Sequence, residues 1–336
     1  MKNLLRRSKA TKVGLALITL LFLITVFLNL QKGPALKHLE RLLWSDRIYP
    51  NDNGIEEGKD TFKSAESDNI KRVQHLRREC EHVSGDVGDL DHLQYLIVDE
   101  KYKMVFCYIP KISCSQWKTI FITLTGKVNA SLLNFGNVHE KYQSKMKFLK
   151  GYSAENQKRI LTEYKKYIIV RNPLERILSA YRNKLMGKVP FRKTGKEIIK
   201  RYRSNATLKS LQNGDDVTFF EFVQYLTDDK TERFDHHWEK YTTLCHPCIV
   251  KYDFIGKYET ISRDADFILK DIEAPPEIRF PKRSERYSNV ETIKTFNTYY
   301  SRIPAECIAK LWNIYRMDFE LFGYSISDNF KMIPNA

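Results

Sequence analysis

The chain has 336 residues, 42% of them hydrophobic, and its 56 Lys and Arg against 41 Asp and Glu give a formal net charge of +15. That apolar fraction is enough for a core and excludes wholesale disorder, while the length suits one α/β domain of about 250 residues behind a terminal anchor. The positive excess implies a polyanionic partner; charge alone leaves nucleic acid, an acidic lipid surface, an acidic glycan and a nucleotide open.

Lys2, Arg6, Arg7, Lys9 and Lys12 precede Val13–Leu30, a run without a charged residue. As a helix the run spans about 27 Å, enough for a thin bilayer. It is longer than the apolar part of a cleavable signal and meets Gln31-Lys32-Gly33-Pro34, where no small-x-small cleavage site stands. A cleaved signal remains the alternative. The basic cluster ahead of the run, against the sparser Lys32, Lys37 and Arg41 after it, predicts a cytoplasmic tail over 1–12, a signal anchor over 13–30 and a lumenal remainder. Asn129-Ala-Ser131 and Asn205-Ala-Thr207 then read as glycosylation sequons at Asn129 and Asn205. Cys80, Cys107, Cys114, Cys245, Cys248 and Cys307 meet an oxidising solvent, with their pairing open. Nucleic acid drops out as a partner, because that compartment does not hold it.

Residues 31–90 are polar and read as a stem that becomes ordered near Cys80, ahead of a catalytic domain over 91–336. Leu93–Val98 and Met104–Ile109 are short runs of β-formers, and Ser115–Thr125 is a predicted helix with Trp117, Ile120, Phe121 and Leu124 three or four apart. Tyr167–Val170 predicts a strand, followed by a helix that Asn172-Pro173 starts. Leu174, Ile177, Leu178, Tyr181 and Leu185 form its apolar face, while Arg176, Arg182 and Lys184 point elsewhere. Thr218 and Glu221 make a capping box for a helix over Phe219–Leu226. Ile249–Ile255 reads as a strand, Asp264–Leu269 as a helix, and Ile303-Pro304 begins a last helix to about Phe319. Alternating strands and helices predict a single α/β domain with a largely parallel sheet flanked by helices, in which ligands bind beyond the carboxyl ends of the strands.

Two strand–loop–helix units carry chemistry. In the first, Tyr108-Ile-Pro-Lys-Ile-Ser-Cys-Ser-Gln-Trp-Lys118, a buried strand ends at Pro110 and a tight loop leads into a helix. Lys111, two hydroxyls and the helix-start N–H groups converge there, which is how proteins bind phosphate. The nucleotide-triphosphatase loop pattern is absent, and the bland alternative is an ordinary turn with a surface lysine. In the second, Val170-Arg-Asn-Pro-Leu-Glu-Arg-Ile-Leu-Ser179, Arg171 sits at a strand end and Ser179 about two turns into the next helix. The two can pinch one anion; the alternative is an Arg171–Glu175 pair.

In this order, behind a type II anchor, the units resemble the phosphosulfate loop and 3′-phosphate clamp of sulfotransferases. More closely, the chain resembles the Golgi carbohydrate sulfotransferases that include the chondroitin and dermatan 4-O-sulfotransferases. Leu96-Ile-Val-Asp-Glu100, Gly195-Lys-Glu-Ile-Ile-Lys-Arg-Tyr-Arg203, Gly214-Asp-Asp-Val217, His237-Trp-Glu, Leu244-Cys-His-Pro-Cys248 and Tyr252-Asp-Phe-Ile-Gly-Lys-Tyr-Glu259 extend that resemblance over roughly 93–325. Ser113 and Gln116 stand where those enzymes tend to have a smaller residue and Asn, and Asn172 where an acidic residue is usual.

The resemblance implies a P-loop-like sulfotransferase domain on the Golgi membrane that takes 3′-phosphoadenylyl sulfate as donor. It implies that Lys111, Ile112, Ser113, Cys114, Ser115, Gln116 and Trp117 surround the 5′-phosphosulfate, and that Arg171, Asn172, Pro173, Leu174, Glu175, Arg176, Ile177, Leu178 and Ser179 surround the 3′-phosphate. Lys111 would stabilise charge on the leaving oxygen with Lys118 assisting, a scheme that requires no metal. The general base expected for a sugar hydroxyl is His139, oriented by Glu140, with His236 and His237 as runners-up. Cys245-x-x-Cys248 favours a disulfide over zinc, since no second ligand pair follows. The basic segment Lys196–Arg203 reads equally as a solvated face or as a track for an acidic glycan. The expected acceptor is the 4-hydroxyl of N-acetylgalactosamine in chondroitin or dermatan. The alternatives are terminal N-acetylgalactosamine on N-glycans, a glucuronic acid, or no transfer at all in a silent glycan-binding protein.

Overall fold

The computed structural model of the protein describes residues 60–83, 92–129, 132–133, 137–186, 191–231, 234–281 and 289–326. The expected anchor at 13–30 and the tail before it lie outside them. Among the described residues, no helix is long and apolar enough to cross a membrane.

In chain order the elements are α1 (Asp60–Glu81), β1 (Leu96–Asp99), β2 (Met104–Cys107), α2 (Cys114–Leu124), β3 (Lys147–Phe148), α3 (Ala154–Glu163), β4 (Lys165–Val170) and α4 (Pro173–Lys184). There follow α5 (Arg192–Tyr202), α6 (Leu208–Asn213), α7 (Phe219–Leu226), α8 (Tyr241–Cys245), α9 (Pro247–Val250), β5 (Phe254–Lys257), α10 (Ile261–Asp271), α11 (Asn289–Tyr300) and α12 (Ala305–Leu321). The capping box that opens α7 is present as expected, with Thr218 and Glu221 each bonding the other's backbone N–H.

The five strands form one sheet in the order β3-β1-β2-β4-β5. It is mixed, which corrects the expectation of a largely parallel sheet: β1 pairs antiparallel with β2 and β3, while β2–β4 and β4–β5 are parallel. The reason lies between Asp99 and Met104. Asp99 Oδ1 accepts the backbone N–H groups of Lys101 (2.9 Å) and Tyr102 (3.1 Å), closing a turn too short for the crossover that parallel strands need. Burial of all of β2 and of Tyr167–Val170 on both faces explains their unbroken apolar runs. Since β2 and β4 run in parallel with Cys107 opposite Ile168, the loops holding Lys111 and Arg171 leave the same end of the sheet side by side.

Two further expectations are corrected. The strand expected over Ile249–Ile255 begins only at Phe254; before it, Pro247 opens the short α9, and Lys251 adopts a left-handed conformation (φ 55°) that breaks any extended run. Within the segment read as stem, α1 is docked on the domain. Asn69 Oδ1 accepts Ile255 N–H at 2.9 Å and Arg72 donates to Ile255 O at 3.0 Å, so side chains of α1 cover the free edge of β5. Arg72 also bonds the fully buried Asp264 at 2.7 Å, and Phe62 stacks on Phe267 of α10.

Two disulfides tie these layers together. Cys80 at the end of α1 joins Cys248, and Cys107 at the end of β2 joins Cys245. Cys245 and Cys248 are therefore both oxidised, as the disulfide reading expected, but to separate partners. At the α5–α6 contact, a Cβ on Gly195 would stand 1.9 Å from the Gly214 carbonyl oxygen, so only glycine permits that approach.

Candidate active site

The first strand–loop–helix unit is built on backbone strain. Lys111 (φ 72°) and Ser113 (φ 51°) are both left-handed without being glycine, a conformation that costs free energy and persists where the surroundings enforce it. The enforcement comes from Ile112 and Trp117, both driven into the core, with Trp117 packed on Phe106, Phe121 and Phe280. Those two residues anchor the loop from inside. No side chain caps the N-terminus of α2, so the N–H groups of Cys114, Ser115 and Gln116 open that helix end toward the loop. Cys114 is a free thiol.

The second unit starts with Asn172, whose Oδ1 caps α4 by accepting Leu174 N–H at 3.0 Å, with Pro173 in the first turn. Leu174, Ile177 and Leu178 are buried along the apolar face that their spacing predicts. Arg171 pairs with Glu175 at 3.2 Å and lies over the Tyr258 ring at 4.4 Å. Tyr241 donates to the Arg171 carbonyl at 2.6 Å, and the buried Asp318 carboxylate accepts the Tyr241 N–H at 2.9 Å, which fixes where β4 ends. Burial pushes that carboxyl up to about 7, against the pull of its backbone hydrogen bonds.

Lys111, Arg171, Glu175, Leu178 and Ser179 line one cleft of about 470 Å³. The two units thus meet as expected, and Lys111 Nζ donates to Asn183 Oδ1 at 2.9 Å on its rim. The opposite wall is α11, with Thr292, Thr295 and Phe296, which the sequence reading did not single out. The signal available was two hydroxyls three residues apart, hence on one helix face. Burial chiefly lowers Lys111 to about 8, and neighbouring cations add to the effect.

Arg176 is a correction. It does not point away from the domain, nor is it placed among the cleft-lining residues: it is 1% exposed and donates to three backbone carbonyls, Pro110 (3.1 Å), Glu239 (2.6 Å) and His236 (3.1 Å). It ties the loop that follows β2 to the histidine-bearing loop 235–239. Replacing Arg176 with Met should cost about 3 kcal/mol in chemical denaturation, because buried carbonyls lose their donors, and Arg176→Lys should recover part of it.

His139, the expected base, lies against the first unit. Its Nε2 lies 2.7 Å from Ser115 Oγ and its Nδ1 3.4 Å from Lys118 Nζ, while the exposed Glu140 is not the group that orients it. An ammonium only donates, so Lys118 assigns the lone pair to Nδ1 and the proton to Nε2. Burial first, then Lys118 and other cations, lowers His139 to about 4, so the ring is neutral at pH 7. Lys118 is itself buried, bonded to Gln143 at 3.1 Å and seated over Tyr108 at 4.3 Å. His237 Nδ1 is 2.6 Å from Asp235 Oδ1, and burial lowers this ring also to about 4. Asp235, His236 and His237 bring ligand-type atoms within 4.8 Å of one another.

Elsewhere, Asn205 and Asn129 are both exposed, as modification would need. The basic helix α5 spends much of its charge internally. Arg192 pairs with Asp215, Arg201 with Glu197, and Arg203 with both Asp216 and Glu221.

Residues 94–325 match the model of the sulfotransferase family. Carbohydrate sulfotransferase 14 of Danio rerio is 38% identical over 237 residues, covering 70% of this chain and 63% of the relative. Carbohydrate sulfotransferase 11 of Rattus norvegicus is 37% identical over 247 residues, 71% of this chain and 70% of the relative. Carbohydrate sulfotransferase 9 of Homo sapiens is 33% identical over 295 residues, 84% of this chain and 65% of the relative. The chain thus spans somewhat under two thirds of the length of the first and third of these. No solved structure matches it. With a strained lysine loop and an arginine-headed helix meeting at one end of the sheet, and with this match over most of its length, the chain belongs to the sulfotransferase family.

Proposed function

We propose that the chain transfers a sulfuryl group from 3′-phosphoadenylyl sulfate to a glycan hydroxyl, the 4-hydroxyl of N-acetylgalactosamine in chondroitin or dermatan. The observation that carries this reading is the shared cleft of Lys111, Arg171 and Ser179 beside His139. An anionic donor is supported by Lys111 and Arg171 in the cleft, Arg171 sharing its charge with Glu175, and by the uncapped N-terminus of α2 that follows the Lys111 loop. The relatives' names support a carbohydrate acceptor, and the choice of the 4-hydroxyl rests on the resemblance of the segments Gly195–Arg203, Gly214–Val217 and Leu244–Cys248 to the chondroitin 4-O-sulfotransferases.

The donor supplies an activated sulfuryl group on a phosphate leaving group. Arg171 and Ser179 hold the 3′-phosphate, while Lys111 and the first N–H groups of α2 hold the phosphosulfate. Ser115 and Lys118 turn toward the bound anion and release the ring nitrogens of His139 to the acceptor. The acceptor oxygen forms a bond to sulfur as the bond from sulfur to the bridging oxygen breaks. The proton passes to His139, and Lys111 stabilises the electron pair left on the phosphate oxygen. The products are a sulfate ester and adenosine 3′,5′-bisphosphate. In this reading the catalytic domain faces the Golgi lumen behind the 13–30 anchor.

Incubating the full chain with donor labelled in its sulfate and a panel of desulfated glycans tests the proposal. Label on the 4-position of chondroitin or dermatan is the expected result. Label confined to terminal N-acetylgalactosamine of N-glycans would move the acceptor, and label on no glycan would favour a silent binding protein.

A further inference from the structure

Lys184, in the last turn of α4, is not among the residues lining the donor cleft, yet it stands next to them. Its neighbour Asn183 receives the Lys111 ammonium. Phe191 N–H donates to the Lys184 carbonyl at 2.7 Å, and the Lys184 ammonium lies 4.8 Å from the Phe191 ring centroid. The same ring meets His237 edge-on at 5.5 Å, and His237 lies against His236 at 4.1 Å. Lys184, Phe191, His237 and His236 therefore make one continuous wall, with the donor lysine reached through Asn183.

The wall carries one carboxylate, Asp235, which acts on Lys184 but is bonded to His237, and Lys184 itself makes no ion pair among the described residues. Burial is the main cause that lowers Lys111, His139, His236 and His237, and the Lys184 charge adds to it at all four. An ammonium in that position is near enough to act on His139, the expected base for the acceptor hydroxyl. The donor's anions are matched by Lys111, Arg171 and the α2 terminus, which leaves Lys184 for an anion of the acceptor. An aromatic face beside an ammonium suits a sugar ring that carries a carboxylate.

We propose that Lys184 and Phe191 form an acceptor subsite for a uronic acid, whose carboxylate pairs with Lys184 while the neighbouring sugar presents its hydroxyl to His139. This rests on the chondroitin reading above, a polymer in which each N-acetylgalactosamine adjoins a uronic acid.

The test compares the full chain with Lys184→Gln and Lys184→Arg, using desulfated chondroitin and the same polymer with its carboxyls reduced to alcohols. With Lys184→Gln, KM for chondroitin should rise about tenfold while donor KM and thermal unfolding stay put, and Lys184→Arg should restore most of the affinity. Carboxyl-reduced chondroitin should be a poor acceptor for the unaltered chain and indifferent to Lys184→Gln. An unchanged KM for chondroitin, or an equal rise with both polymers, overturns the subsite alone. If the unaltered chain sulfates neither polymer, the chondroitin reading falls and the subsite with it.

Discussion

Alanine in place of His139 should cut sulfuryl transfer by about 10²–10⁴-fold, the range over which a positioned general base acts, while adenosine 3′,5′-bisphosphate still binds. The two effects separate because His139 is absent from the cleft that Lys111, Arg171 and Ser179 line. It touches that unit only through Ser115 and Lys118. Calorimetric binding of the bisphosphate, alongside a transfer assay, checks both halves. Retained activity would remove His139 as the base, and lost binding would make it part of the donor grip. His237, held by Asp235 at 2.6 Å, is the group to examine next in the first case.

Lys111→Ala is expected to lower kcat by about 10²–10³-fold, as removing one donor to a developing oxyanion does, and to raise donor KM as well. Its environment adds a pH signature. The base must be neutral, so kcat/KM falls as pH drops through the His139 value of about 4. The lysine must be charged, so kcat/KM also falls as pH rises through the Lys111 value of about 8. Both shifts come mainly from burial, and kcat/KM reports the free enzyme in which they apply. Lys111→Arg keeps a charge at every accessible pH. It should therefore lose the alkaline limb even where its rate is reduced. An alkaline limb that survives in Lys111→Arg would assign it to another group.

Both strand–loop–helix units were legible in the sequence because each is local: a strand, a few loop residues and a helix start fall within a dozen positions. Their meeting was legible too, since parallel neighbours send their loops to one end of a sheet. Arg176 was not. Helical spacing puts it off the apolar face, and what buries it is three carbonyls at sequence distances of 60 to 66 residues. Helix α1 escaped for the same reason. Its apolar residues are few, Ala65, Val73 and Leu76 among them being buried, and it is further held by Arg72 on Asp264, 192 positions away, and by Cys80 on Cys248. Thr292 and Thr295 of α11 gain their place in the cleft only from tertiary packing. Short polar motifs declare local chemistry, but long-range hydrogen bonds decide which polar residues turn inward.

The split pairing of Cys245 and Cys248 has a consequence for how the enzyme matures. Their native partners lie 138 and 168 positions upstream, whereas each has the other as a neighbour three residues off. Closing a short ring costs less chain entropy than closing a long one, so the wrong bond competes on the nascent chain. The free thiols Cys114 and Cys307 supply further competitors. Arrival at the native pairing then depends on thiol–disulfide exchange, which takes seconds to hours and is accelerated by isomerases. The yield of active protein is thus set by redox buffering and isomerase supply during synthesis, separately from how stable the finished fold is.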